Sequence, residues 1–148
     1  MKYLVMVIAI FLSGCTTLSK NVQLVSEGTT QSEIVIYRAS AFQAGAVSMY
    51  LGEKNRYFIE LQNNQYAKFM IDSGNHLFQA KANASPASEL YLETKPNVKY
   101  CLTVEPNPDM LGAVIIPLIA NMVPTFIVKD TSCPGDEFLK DYQQVFNT

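Results

Sequence analysis

Tryptophan is missing from this chain, and histidine occurs once, as His76. A single imidazole excludes a multi-histidine metal site within one chain. Charge is scarce: 11 basic and 13 acidic residues make up 16% of 148 positions, against about 25% in an average soluble domain. The basic residues form no patch, which argues against nucleic acid as a partner. Cysteine occurs three times, at spacings that exclude a CxxC redox motif. The phosphate-binding loop, the dinucleotide fingerprint and the nucleophile elbow are absent too. Asp130, Asp136 and Glu137 lack the regular spacing of a calcium loop. They read as a solvated face or as charges at a helix N-terminus. The expectation is a protein without catalytic residues, metal ligands or cofactors.

What the chain does contain begins with MKYLVMVIAIFLSGCTTLSK. Lys2 precedes an unbroken apolar run, Leu4 to Leu12, of about nine residues. A bilayer span needs about 20, whereas the apolar region of a secretory signal runs about 7–15. The run ends in Leu12-Ser13-Gly14-Cys15, which resembles the lipobox of bacterial lipoproteins. That resemblance implies that Leu12, Ser13 and Gly14 fit the processing enzyme. It also implies that the Cys15 thiol receives a diacylglycerol and that cleavage leaves Cys15 as the first residue. Several acyl chains hold a protein to a membrane far better than one. The alternative is a plain secreted or membrane-anchored start with a chance cysteine. Thr16 follows the cysteine where an Asp often marks inner-membrane retention, so the resemblance implies the outer membrane, facing the periplasm.

Removal of residues 1–14 leaves 134 residues with a net charge of −3, since only Lys2 is lost. That length suffices for one domain with a real core. The expected layout is a signal over 1–14, a lipidated cysteine and polar tether over 15–32, and a folded domain over 33–148. Val22, Leu24 and Val25 in the tether could dock as a short edge strand. Beyond the inner membrane Cys101 and Cys133 are expected to form a disulfide. Two buried free thiols are the alternative, and a nucleophilic cysteine would want His76 nearby.

Short β-branched and aromatic runs follow at 8–12-residue spacing, split by Gly, Asn and Pro turns. They cover 33–38, 47–51, 56–61, 66–71, 76–82, 89–94 and 98–105. This pattern predicts an antiparallel β-sandwich or barrel. The stretch DMLGAVIIPLIANMVPTFIV holds no charge after Asp109. Met110, Leu111, Val114, Ile115, Leu118, Ile119 and Met122 recur at helical spacing. Its other face, with Ile116, is apolar too, so the element is either deeply buried or an interface. A membrane span is opposed by Pro117, which costs about 3 kcal/mol inside a helix. A short bent helix or loop is expected, then a strand from Thr125 to Lys129. Leu111, Ile115, Ile116, Leu118 and Ile119 are the candidate interface residues. In the tail, Phe138, Leu139, Tyr142, Val145 and Phe146 share one face of an amphipathic helix predicted over Asp136 to Phe146.

Two single residues have a chemical reading and a bland one. His76 could be a ligand or base, or a turn residue whose ring bonds the backbone. Arg38 could hold an anion, or make a local salt bridge.

The stretches IVIYRAS, AGAVSMYLGEKN and LQNNQYAKFMIDSGNHLFQAKA resemble a family of small bacterial lipoproteins of uncharacterised function. The resemblance rests on Tyr37, Arg38 and Ser40; Gly52 and Lys54; Leu61, Asn63 and Tyr66; and Gly74 and His76. It implies a single immunoglobulin-like β-sandwich and brings no catalytic residues. Two positions depart from the pattern: Ser73 replaces a proline, and the turn at Gly52-Glu53-Lys54 lacks the Asp-Gly that favours a tight hairpin. The function expected is that of a lipid-anchored, non-enzymatic interaction module of the cell envelope with an envelope protein partner. The alternative is an accessory subunit of an envelope or secretion assembly, and an envelope-acting enzyme is a third reading.

Overall fold

A computed structural model of the chain describes residues 30–110 and 122–146. Among the described residues nine strands form two stacked sheets. Strands β1 (Gln31–Arg38), β4 (Gln65–Asp72), β7 (Lys99–Pro106), β8 (Phe126–Thr131) and β9 (Gln143–Phe146) build one sheet, in the order β8-β7-β1-β4-β9. Strands β2 (Met49–Glu53), β3 (Arg56–Leu61), β5 (Gly74–Lys81) and β6 (Ser88–Thr94) build the other, in the order β3-β2-β5-β6. The fold is therefore a β-sandwich.

The core follows from alternation, since residues two apart on a strand share one face. Ile34 and Ile36 of β1, Ala67, Phe69 and Ile71 of β4, and Leu102 and Val104 of β7 are all buried between the sheets. Met49, Leu51, Ile59, Leu61, Phe78 and Ala80 meet them from the second sheet. Phe69 bridges the layers edge-on, its ring 5.6 Å from Phe58 and 6.5 Å from Phe78. The β2–β3 turn is tight without Asp-Gly, because Lys54 and Asn55 themselves take φ of 51° and 61°. The Gln79 side chain accepts the Asn55 N–H at 2.8 Å and steadies the turn.

The sequence-based expectations need three corrections. The sheets are not wholly antiparallel: β1 pairs with β7, and β4 with β9, in parallel. The domain begins before residue 33, because Gln31 and Ser32 belong to β1; the buried Ser32 hydroxyl donates to the Lys95 carbonyl at 2.8 Å. The tail is not one amphipathic helix. A single turn, α1 (Asp136–Leu139), gives way to β9.

The cause of that last difference lies in β4. An edge strand exposes a row of unpaired backbone groups, and β9 covers them. The Gln143 N–H donates to the Asn64 carbonyl at 3.1 Å. The Tyr66 hydroxyl meets Gln144 Oε1 at 2.7 Å, and Gln65 Nε2 donates to Gln143 Oε1 at 3.0 Å. A helix would leave those groups to water.

Residues 132–142 form a strap across the outer face of the five-stranded sheet. Leu139 is buried there against Val35 and Cys101. Phe138 and Tyr142 stand edge-on to Tyr37, with ring centroids 5.4 and 5.9 Å away. The disulfide Cys101–Cys133 pins the start of the strap to β7, with Cα atoms 4.9 Å apart. The covalent link closes a 32-residue separation, for which loop entropy gives about 3.5–4 kcal/mol. Reduction should lower the unfolding free energy by about that amount, as read by urea denaturation with and without reductant.

Burial, with Tyr37 and Asp141 beside it, pushes the Tyr142 phenol above its ordinary value of 10.0. Burial and then Glu89 do the same to Tyr57. The folded state therefore keeps these protons longer than the unfolded state. Stability should hold up to pH 10 and fall above it, until the folded phenols also ionise. Urea midpoints below and above pH 10 should show a shallower fall in Tyr57→Phe/Tyr142→Phe than in the wild type.

Candidate functional site

Period-two alternation carries the inward face of β1 from Ile34 through Ile36 to Arg38, so the guanidinium enters the core. Arg38 is 1% exposed. Among the described residues no carboxylate pairs with it. Three carbonyls accept its hydrogen bonds instead: Nη1 donates to Val47 at 2.6 Å and Leu61 at 3.0 Å, and Nη2 to Ala44 at 2.6 Å. The Phe126 ring lies under the charge, 4.5 Å from Cζ, a cation–π contact strengthened by desolvation. Nε is buried without a partner among the described residues. Burial lowers the Arg38 pKa, yet a guanidinium stays charged in a protein. Neither sequence reading of Arg38 describes its partners: among the described residues it makes no salt bridge, and its Nη groups donate to carbonyls of the protein itself.

Two of its acceptors belong to the loop 39–48, and other groups complete the frame. Asn63 Oδ1 accepts the Ala41 N–H at 2.9 Å, while Asn63 Nδ2 donates to the Ala41 carbonyl at 3.3 Å and to Ser40 Oγ at 3.4 Å. Ala44 takes a φ of 56°. A Cβ on Gly45 would sit 2.6 Å from the Ala41 carbonyl oxygen, so glycine is required there. Gly45 and Val47 close turns onto the Phe42 and Ala44 carbonyls. The framed loop carries Phe42 at its tip, 106% exposed. A large aromatic held wholly in water by a braced loop is not a packing residue.

Asn107 joins this loop to the chain on either side of the apolar segment. Its carbonyl accepts Gln43 Nε2 at 3.2 Å, its Nδ2 donates to the Pro124 carbonyl at 2.9 Å, and its Oδ1 accepts the Asp109 N–H at 3.0 Å. Met122, two residues before Pro124, is 75% exposed. The register places the loops 39–48, 62–64 and 82–87, the end of β7 and the start of β8 at this one end of the sandwich.

The opposite end holds His76. It lies within β5, stacked on Phe78 at 5.8 Å. Its Nε2 is 2.8 Å from the Asp72 carbonyl, the backbone bond expected of it, and its Nδ1 is 3.3 Å from a Glu53 carboxylate oxygen. Both ring nitrogens are occupied by oxygen partners. Among the described residues no three His, Cys, Asp or Glu side chains gather. No described helix is long and apolar enough to cross a membrane.

Of the residues singled out in the sequence, Cys101 and Cys133 are brought together. Cys15, Leu12, Ser13 and Gly14 lie outside the described residues. So do Val22, Leu24 and Val25 and the candidate interface residues Leu111, Ile115, Ile116, Leu118 and Ile119. Arg38, Ser40, Leu61 and Asn63, which carry part of the lipoprotein resemblance, meet at one place: the frame of the Phe42 loop. Phe42 and Asn107 escaped the sequence reading. The available signal was an aromatic among small uncharged residues in SAFQAGA. No family model matches the chain, and a search of curated proteins found no match.

Hydrogen bonds to a charged group contribute about 1.5–3 kcal/mol each, and Arg38→Met removes three. The variant should lose about 3 kcal/mol or more of stability in urea denaturation. Arg38→Lys should recover only part, because an ammonium cannot reproduce the planar fork. Limited proteolysis should then cut first within 39–48.

Proposed function

We infer that this protein is a lipid-anchored, non-enzymatic lipoprotein of the cell envelope that acts as an interaction module. The observation that carries the interaction reading is Phe42, held in water on a braced loop at a sandwich end with little charge. An exposed apolar side chain fixed in one place suits contact with another surface. Leu12-Ser13-Gly14-Cys15 supports the anchor, and the disulfide Cys101–Cys133 fits the oxidising compartment that such an anchor implies. A non-enzymatic role is favoured by the occupied nitrogens of His76 and the enclosed donors of Arg38.

Membership of the small-lipoprotein family belongs to the same reading, as does the immunoglobulin-like form of the sandwich. The passage of the chain between the sheets after β1, β3, β4 and β6 supports that form. The disulfide departs from it, since it ties β7 to the strap rather than joining the two sheets. The outer membrane is the proposed site of attachment, with an envelope protein as a further partner.

Labelling of growing cells with a fatty-acid analogue tests the anchor. The wild-type chain should take up label and yield a mature protein beginning at Cys15 in mass spectrometry. Cys15→Ala should take up none. An unlabelled wild-type chain would remove the anchor from the proposal.

A further inference from the structure

The sandwich is polarised along its strands. Its loops at the Arg38 end, 39–48, 62–64 and 82–87, contain no charged residue, and neither does the sequence from Met110 to Val128. Asp109, Lys140 and Asp141 are the charges in the connections at this end. The turns at the other end carry Glu53, Lys54, Arg56, Asp72, Lys95 and Lys99. Phe42 and Met122, the two most exposed large apolar side chains among the described residues, both belong to the low-charge end.

We propose that this end docks on the lipid bilayer, with Phe42 and Met122 entering the interface between headgroups and acyl chains. The proposal rests on the anchor at Cys15 argued above. Three observations favour a bilayer over a protein surface. First, charge is costly in a bilayer, and the loops around Phe42 have none to desolvate. Their polar groups are the neutral amides and hydroxyls that an interface tolerates. Second, protein partners are steered and selected by complementary charge, which these loops do not offer. Third, the chain is long enough. Thr30 lies fifteen positions after Cys15, and such a length reaches at most about 50 Å. The eight residues of β1, which separate the N-terminal end from the Arg38 end, span about 26 Å. The anchor and the Phe42 end can therefore touch one membrane. Arg38 is the positioning residue: it holds the loop that presents Phe42 and does not itself meet lipid.

The absence of tryptophan makes the test direct. Phe42→Trp installs the sole tryptophan at an exposed position, where it can be excited beyond the absorption of the tyrosines. The purified full-length lipidated variant is placed on vesicles of phosphatidylcholine and phosphatidylglycerol in equal parts, with and without brominated acyl chains. The expected result is emission shifted to the blue, loss of intensity with brominated lipid, and protection from acrylamide. Emission that stays red and open to acrylamide, on protein that floats with the vesicles, overturns the docking and leaves the anchor standing. Emission shielded from both quenchers means that protein, including a second copy, covers Phe42, and overturns the docking as well. Protein that does not float with vesicles overturns the anchor reading, and the docking falls with it.

Discussion

A guanidinium enclosed between two sheets, with no carboxylate beside it among the described residues, governs the architecture of one end of this protein. A buried cation is tolerated only when its donors are taken up. Here the carbonyls of Ala44, Val47 and Leu61 take up the two Nη groups, with the face of Phe126 beneath. Those groups come from the loop after β1, the end of β3 and the start of β8, so one side chain ties both sheets to the loop. The loop conformation is a consequence of the charge: its carbonyls must point inward, and Phe42 is left outside.

The far side of the five-stranded sheet is organised by a different constraint. Val35, Tyr37 and Cys101 would face water there if the chain ended after β8. The strap from 132 to 142 covers them with Phe138, Leu139 and Tyr142. The disulfide fixes where the strap starts, and the β4–β9 pairing fixes where it finishes. An apolar set that reads as a helix face is thus shared between one helical turn, a crossing segment and a strand. Burial of these side chains is satisfied by any backbone that reaches the sheet. The unpaired edge of β4 selects the strand.

The two ends of the sandwich consequently differ in kind. One end holds charged turns and a histidine with both ring nitrogens engaged. The other is framed by amides and carbonyls, carries little charge and exposes two large apolar side chains. Lipid attachment at Cys15 and a bilayer-facing Phe42 would use the molecule as a two-point contact. The braced loop makes the second contact possible without ordering a flexible segment on arrival.

Much of the sheet structure was legible in the sequence, because alternation and turn residues are local signals. The strand Arg56–Leu61 matches its expected bounds, and the others differ by a few residues at their ends. The cysteine pairing was legible from number and from the compartment that the lipobox resemblance implies. Arg38 was legible in part, since Ile34 and Ile36 point the same way, yet only the tertiary structure shows that its partners are carbonyls. Parallel pairing of β1 with β7, the strand at the tail and the meeting of Asn63 with the Phe42 loop were not legible. Each joins residues far apart in the chain, and no local periodicity encodes which edge is free. The sequence by itself determined the strands, the low-charge loops and the covalent chemistry open to the cysteines. The tertiary structure decided that a lone arginine would be buried and Phe42 exposed, because inter-sheet packing alone sets where a charge can find its carbonyls.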